Sequence, residues 1–373
     1  MLKEKEFIKS FAEHFCDIKE HRQESKIAYP LIELLFLAVV AVAARAESWE
    51  EIEEFGKAHI DTLREYLPFK NGSPSDCTIR SFITRCDSKQ LNKVLVKYFN
   101  HDLNEKHYVI DGKTLRGSKY KDSRALHFLN VYAAESGVTL FGQAIDSKDN
   151  EITAIPEVIE CLDIKNAIVT IDAMGCQKNI AKQIVEKEAD YILGLKMNHP
   201  GLYNEVEKSF QVDIAKFLET DVAETYDKGH GRIEERKCCV IRDVKKIFGY
   251  EQWTGLNSVI QVKRKVVEKN KVLESVNYYI SSSNNSAETM LRSIRSHWGI
   301  ESMHWVLDVV FNEDANSIRQ GNAPANMAII RRFVLNILNR IKTKRETKPK
   351  MMLTMGWSSN NLKRFINALI KIN

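Results

Sequence analysis

The sequence has no C-x-x-C pair, no H-E-x-x-H, no complete phosphate-binding loop and no apolar run long enough to cross a bilayer. Its seven cysteines (16, 77, 86, 161, 176, 238 and 239) include the adjacent pair Cys238 and Cys239, a spacing that suits no zinc finger and strains a disulfide. Reduced thiols in a cytoplasmic protein are the expectation. The longest apolar run, Leu34–Ala44, falls short of a membrane span and follows Glu33. Charges run through the first thirty residues, so no signal peptide is expected. Gly112-Lys113-Thr114 matches only the end of a phosphate loop, because the first glycine position holds His107. His297 and His304 stand seven apart, which weakens a zinc-hydrolase reading.

What is present is an ordinary soluble composition, 44% hydrophobic and 28% charged over 373 residues, enough for about two or three domains. The net charge of +5 is uneven. Arg331–Asn373 holds eleven Lys/Arg against one acidic residue, and that +10 leaves −5 for the rest. A basic end on a mildly acidic body suggests a polyanion partner.

Three regions follow from periodicity. Residues 1–103 read as helices, with Ser48 and Glu51 at capping-box spacing and Ser75 capping the next segment. Exposed Arg80, Arg85 and Lys89 there suit either a helix-turn-helix-like DNA reader or a plain helical accessory domain. Residues 104–345 begin β-β-β-α-β-α-β, a mixed sheet, with a hairpin at Ser136-Gly137. A β-rich insertion follows at about 201–283, and then helix returns. Residues 346–373 read as a basic tail. The fold class is therefore mixed α+β.

Two apolar strands, His107–Asp111 and Ala167–Asp172, each end in an aspartate, where open α/β sheets commonly bind ligands. Downstream, His297, Glu301, His304 and Asp308 are spaced four, three and four apart and share one helix face. Asp111, Asp172 and Glu301 are the carboxylate set that two-metal phosphoryl transfer needs, and hard oxygen ligands select Mg²⁺ or Mn²⁺. Lys113 and Arg116 follow Asp111 closely, as suits a phosphodiester. Gly229-His230-Gly231-Arg232 allows close approach of backbone to a phosphate, or is simply a flexible hairpin tip.

These stretches together resemble the insertion-sequence DDE transposases, the group that includes the H-repeat-associated proteins. The resemblance is carried by YPLIELLFLAVVAV, SWEEIEEFGKAH, VIDGKTLRGS, NEITAIPEVIE, IVTIDAMGCQK, DYILGLKMNHP, KGHGRIEER, YYISS, IRSHWGIESMHWVLDVVFNEDA and RQGNAPANMAIIRR, in order from about residue 11 to 340. It implies a ribonuclease-H-like core with an N-terminal helical domain, a β-rich insertion and C-terminal helices. It implies catalytic and metal-binding roles for Asp111, Asp172 and Glu301. Mg²⁺-dependent cleavage at transposon ends, joining to target DNA and a homo-oligomeric active complex follow from the same resemblance. A nuclease of this fold without joining, and an inactive DNA-binding remnant, are the alternatives. The chain departs from a Tyr-Arg-Glu-Lys signature common among relatives: Ile294, His297 and Asp308 fill the Tyr, Arg and Lys slots. DNA contacts are therefore expected from Lys113, Arg116, Lys196, His230, Arg232, His297 and Arg319, with Asp308, His304 and Asn198 supporting the carboxylates. Many relatives are one residue longer after the glutamate. The shortening turns His304 and Asp308 by about 100° relative to Glu301.

Overall fold

The computed structural model describes residues 11, 13, 15, 17–100, 105–119, 124–145, 151–211, 220–229, 231–269 and 271–370. Its centre is a nine-stranded mixed sheet in the order β3-β2-β1-β4-β5-β9-β8-β7-β6. The strands are β1 (His107–Thr114), β2 (His127–Ala133), β3 (Val138–Ile145), β4 (Ile168–Ile171), β5 (Asp190–Leu195), β6 (Thr220–Gly229), β7 (Arg232–Ile241), β8 (Ser258–Glu268) and β9 (Lys271–Ser281). β1, β4 and β5 are parallel; every other pairing is antiparallel. The parallel strands are apolar on both faces, as strands covered on two sides must be.

The β-rich segment is not a separate lobe. β9 pairs directly with β5, so β6–β9 extend the central sheet. A small second core covers their inner face, where Cys238, Val240, Ile260 and Val262 meet Ala287, Met290, Leu291 and Ile294.

Helices cover the rest. The N-terminal region has α1 (Leu31–Ala43), α2 (Trp49–Ala58), α3 (Ile60–Arg64), α4 (Asp76–Arg85) and α5 (Ser88–Asn100). α6 (Glu151–Glu160), α7 (Lys178–Glu186) and α8 (Pro200–Ser209) alternate with strands. The C-terminal set is α9 (Ala287–His297), α10 (Gly299–Val309), α11 (Ala323–Ile341), α12 (Lys348–Trp357) and α13 (Ser359–Ile370).

α1 is apolar all round and correspondingly buried. Its one carboxylate, Glu33, accepts the backbone N–H of Phe69 at 2.8 Å, and burial pushes that carboxyl upward. The capping box at Ser48 forms: Ser48 Oγ accepts from Glu51 N at 3.1 Å, and Glu51 Oε2 accepts from Ser48 N at 3.3 Å. Gly137 turns the β2–β3 hairpin with φ of 71°, a conformation that favours glycine.

Two expectations need correction. The helix read through Arg292–Phe311 breaks at Trp298 into α9 and α10. The stretch after 345, read as a basic tail, is folded helix, since α12 and α13 bury Met351, Met352, Met355, Leu362, Phe365, Ile366 and Leu369 in the main core. That core is continuous from Phe11 to Leu369, so the N-terminal helices share it with α11 and α13. Among the described residues, no helix is long and apolar enough to cross a membrane.

Phe365 tests the C-terminal packing. It is fully buried, so Phe365→Ala should cost about 3–5 kcal/mol in chemical denaturation. A loose tail would lose less than about 0.5 kcal/mol.

Candidate active site

The two aspartates meet because of strand register. β1 and β4 pair in parallel up to Ile110↔Ile171, where β4 ends. The next residue on each chain is an aspartate, so Asp111 and Asp172 lie side by side at roughly the 4.8 Å spacing of neighbouring strands. β1 does not stop at Asp111, as the turn reading expected. It runs on to Thr114 because its antiparallel ladder with β2 continues, with Asp111 opposite Asn130. At Asp172 the chain turns: Oδ1 accepts the backbone N–H groups of Met174 at 2.9 Å and Gly175 at 3.3 Å. α10 brings Glu301 to the same place. Asp111, Asp172 and Glu301 all line one cleft of ≈ 250 Å³, together with Thr170, Lys196, Tyr278, His297 and Trp298.

The cleft is electrostatically tense. Burial, and then the charges of Asp172, Glu151 and Glu301, push the Asp111 carboxyl up to about 7 against the pull of the Gly112 N–H. Glu301 stands at the rim, and partial desolvation pushes it upward too. Hard oxygens that converge and repel are the donor set a divalent cation relieves, so the residues present fit one. Among the described residues, no three acidic, His or Cys side chains are yet drawn tightly enough to hold a metal ion.

The other expected residues divide into four places. His297 turns inward, with Nδ1 3.0 Å from Thr170 Oγ1. His107 Nε2 reaches the same hydroxyl at 2.9 Å, and burial pushes both imidazoles down to about 4. His297 thus ties the helix bearing the glutamate to the strand bearing Asp172. Asn198 Nδ2 donates to Ala173 O at 2.8 Å and steadies the turn after Asp172. Lys196 stands exposed at the cleft.

Lys113 is the clearest departure. Lys113 lies two residues past Asp111 on the same face of β1, beyond the cleft and buried, with Nζ 2.6 Å from Asp308, 3.1 Å from Asp314 and 3.4 Å from Glu313. It neutralises acids from the α10–α11 segment, so it is not available to phosphate in this structure. Asp308 is its partner and does not line the cleft. Arg116 is 83% exposed beside Asp314, and exposed Arg319 donates from Nε to Gly117 O at 3.0 Å. These two share one ridge. Arg232 lies 3.7 Å from Glu234 at the far end of the β6–β9 hairpins. Register places it level with Lys271, about 23 Å along the strand from Tyr278 in the cleft. His230 lies outside the described residues.

Several residues here carry no local signal in the sequence. Glu151 and His127 form a buried pair behind Gly112, and a Cβ on Gly112 would collide with both. Arg332, fully buried, pairs with Glu313 at 2.8 Å and stacks 4.4 Å from the centre of the Phe128 ring. Asn130 links Arg332 to His304. The mid-strand polar residues of β2 were the available hint.

Comparison with known proteins places the chain. Residues 102–337 match the family described as the transposase DDE domain, and residues 12–99 match the segment associated with it. The protein belongs to that DDE transposase family. Its relatives include "Putative transposase YncI" of Escherichia coli O157:H7, 39% identical over 90% of this chain and 88% of that one. "Putative protein YbfL" and "H repeat-associated putative transposase YhhI", both of Escherichia coli K12, are 38% and 37% identical, each over 90% of this chain and 92% of theirs.

The placement of Lys113 separates a structural role from a DNA role. Lys113→Met removes the buried cation that Asp308, Glu313 and Asp314 share and should destabilise the fold by about 3–5 kcal/mol in urea titrations. Arg116→Ala, at an exposed site, should stay within about 0.5 kcal/mol of the parent.

Proposed function

We propose that the cleft cleaves DNA at transposon ends and joins the 3′-hydroxyl to target DNA, with Asp111, Asp172 and Glu301 as the catalytic carboxylates. The observation that carries this is the β1–β4 register, which sets two aspartates side by side, with a glutamate from α10 on the same cleft. The order β3-β2-β1-β4-β5, antiparallel on one side and parallel on the other, supports reading these strands as a ribonuclease-H-like core. Family membership supports DNA as the substrate class.

The three carboxylates would hold Mg²⁺, with Mn²⁺ able to substitute. When bound, the metal acidifies the attacking water or hydroxyl and stabilises the leaving oxygen. The chain's own part is orientation. Asp172 spends one oxygen on its turn and keeps the other for the cleft. His297, through Thr170, fixes the approach of Glu301 to β4. Lys196 at the rim and the Arg116–Arg319 ridge beyond it supply positive charge for phosphates. A homo-oligomer acting on two ends together, in a cytoplasmic setting, belongs to the same reading.

Asp111→Asn, Asp172→Asn and Glu301→Gln should each abolish Mg²⁺-dependent nicking of terminal-repeat DNA while leaving its binding intact in gel-shift titrations. Nicking that persists in excess chelator would sink the metal mechanism. Nicking without joined products would favour a plain nuclease. Arg116→Ala and Arg319→Ala should each flatten the plot of log affinity against log salt by about one contact, a slope change near 0.9.

A further inference from the structure

His304 lies behind Asp111, and its ring has two chemically different edges. The edges are assigned by residues farther in. Arg332 is wholly buried and can only donate. Its Nε donates to Asn130 Oδ1 at 2.6 Å. The guanidinium cannot swing away, because Glu313, Ala328 O and the face of Phe128 hold its other sides. The Asn130 oxygen must therefore face Arg332, since the flipped amide would set N–H against N–H. The other end of that amide agrees. Asn130 Nδ2 donates to Phe128 O at 3.0 Å, and its second hydrogen faces His304 Nε2 at 3.2 Å.

A nitrogen that receives a hydrogen bond must offer a lone pair, so Nε2 of His304 carries no proton. The ring is neutral with its hydrogen on Nδ1. Nδ1 lies 3.8 Å from Asp111 Oδ2, a gap that sub-ångström side-chain movement brings to hydrogen-bond length.

We propose that Arg332, acting through Asn130, fixes His304 in the Nδ1–H tautomer, and that this N–H holds the Asp111 carboxylate in the orientation needed to bind metal. His304, Asn130 and Arg332 are positioning residues, one behind another. The arrangement resembles the outer partners that orient metal ligands, whose loss costs about 10–100-fold in metal affinity or activity. The proposal rests on the reading of the cleft as a metal site, but its tautomer can be measured without any DNA chemistry.

The test uses full-length protein labelled with ¹⁵N-histidine and long-range ¹H–¹⁵N correlation of the imidazole nitrogens, with the His304 signals assigned by their loss in His304→Gln. The wild type should show Nδ1 protonated and Nε2 bare. Asn130→Asp keeps an acceptor for Arg332 but presents a second acceptor to Nε2. It should switch His304 to Nε2–H, turn a lone pair toward Asp111 and weaken Mn²⁺ binding, followed by electron paramagnetic resonance titration, by about 10–100-fold. A wild-type ring protonated at Nε2, or at both nitrogens, would overturn the proposal without any variant. So would a switched tautomer that leaves Mn²⁺ affinity unchanged. A wild type with the expected tautomer, Mn²⁺ binding that responds to the switch, and no DNA cleavage would support this inference and count against the transposition reading alone.

Discussion

The parallel register of β1 on β4 decides whether this chain has a site at all. Side chains alternate along a strand, so a slip of one residue would send Asp111 or Asp172 to the opposite face. The register is held by the residues just before them: Val109, Ile110, Val169 and Ile171 are buried almost completely. Gly194 on β5 completes the arrangement. A Cβ there would come within 3.1 Å of Ala173 N, so glycine lets the turn after Asp172 pass close over the third strand. The apolar pairing thus holds together carboxylates that repel one another. Their repulsion is a small penalty against a buried sheet, and it is what makes the cleft receptive to a cation.

Behind the cleft the same problem recurs with the signs mixed. Glu313 is buried where desolvation alone would raise its carboxyl, but Arg332, Arg331 and Lys113 hold it below the ordinary range. Lys113 in turn serves Asp308 and Asp314. Removing any one member would leave an uncompensated buried charge, so the group stands or falls together. Because β1 carries both Asp111 and Lys113, two residues apart on one face, the strand couples the cleft to this buried network. Rigidity of the network is rigidity of the site.

How much of this was legible follows from where the information lies. That Asp111, Asp172 and Glu301 would line one cleft could be read because two sit after short apolar runs and the third lies in a long stretch shared with a known family. Ser48, Ser75 and Gly137 could be read because caps and hairpins are local chemistry. Lys113 was misread as a phosphate contact because its partners lie about two hundred positions downstream, where no local rule reaches. Asn130 and Arg332 looked like ordinary members of a strand and a helix, and only packing makes them neighbours. The break at Trp298 escaped because the apolar pattern continues across it. The tail was misread because its lysines and arginines outnumber its acids, whereas its methionines, leucines and phenylalanine decide its fate.

That last point bears on how DNA would be held. Counting charge along Arg331–Asn373 implies a strongly basic end, but much of it is consumed inside the fold. Arg331 and Arg332 are buried, Lys363 pairs with Glu65 at 2.6 Å, and Arg364 pairs with Glu346 at 2.6 Å. Among the described residues, what remains exposed beyond the end of α11 is Lys342, Lys344, Arg345 and Lys350. The Arg116–Arg319 ridge lies near the other end of that helix. Nineteen residues of helix separate the two groups, about 28 Å, so a duplex touching both would span about eight base pairs. An acidic cleft cannot attract a polyanion by itself. Its field favours cations, and the backbone must be drawn in by groups outside it. The division seen here, acids converging within and exposed bases at separated points on the outside, is the one such a substrate requires.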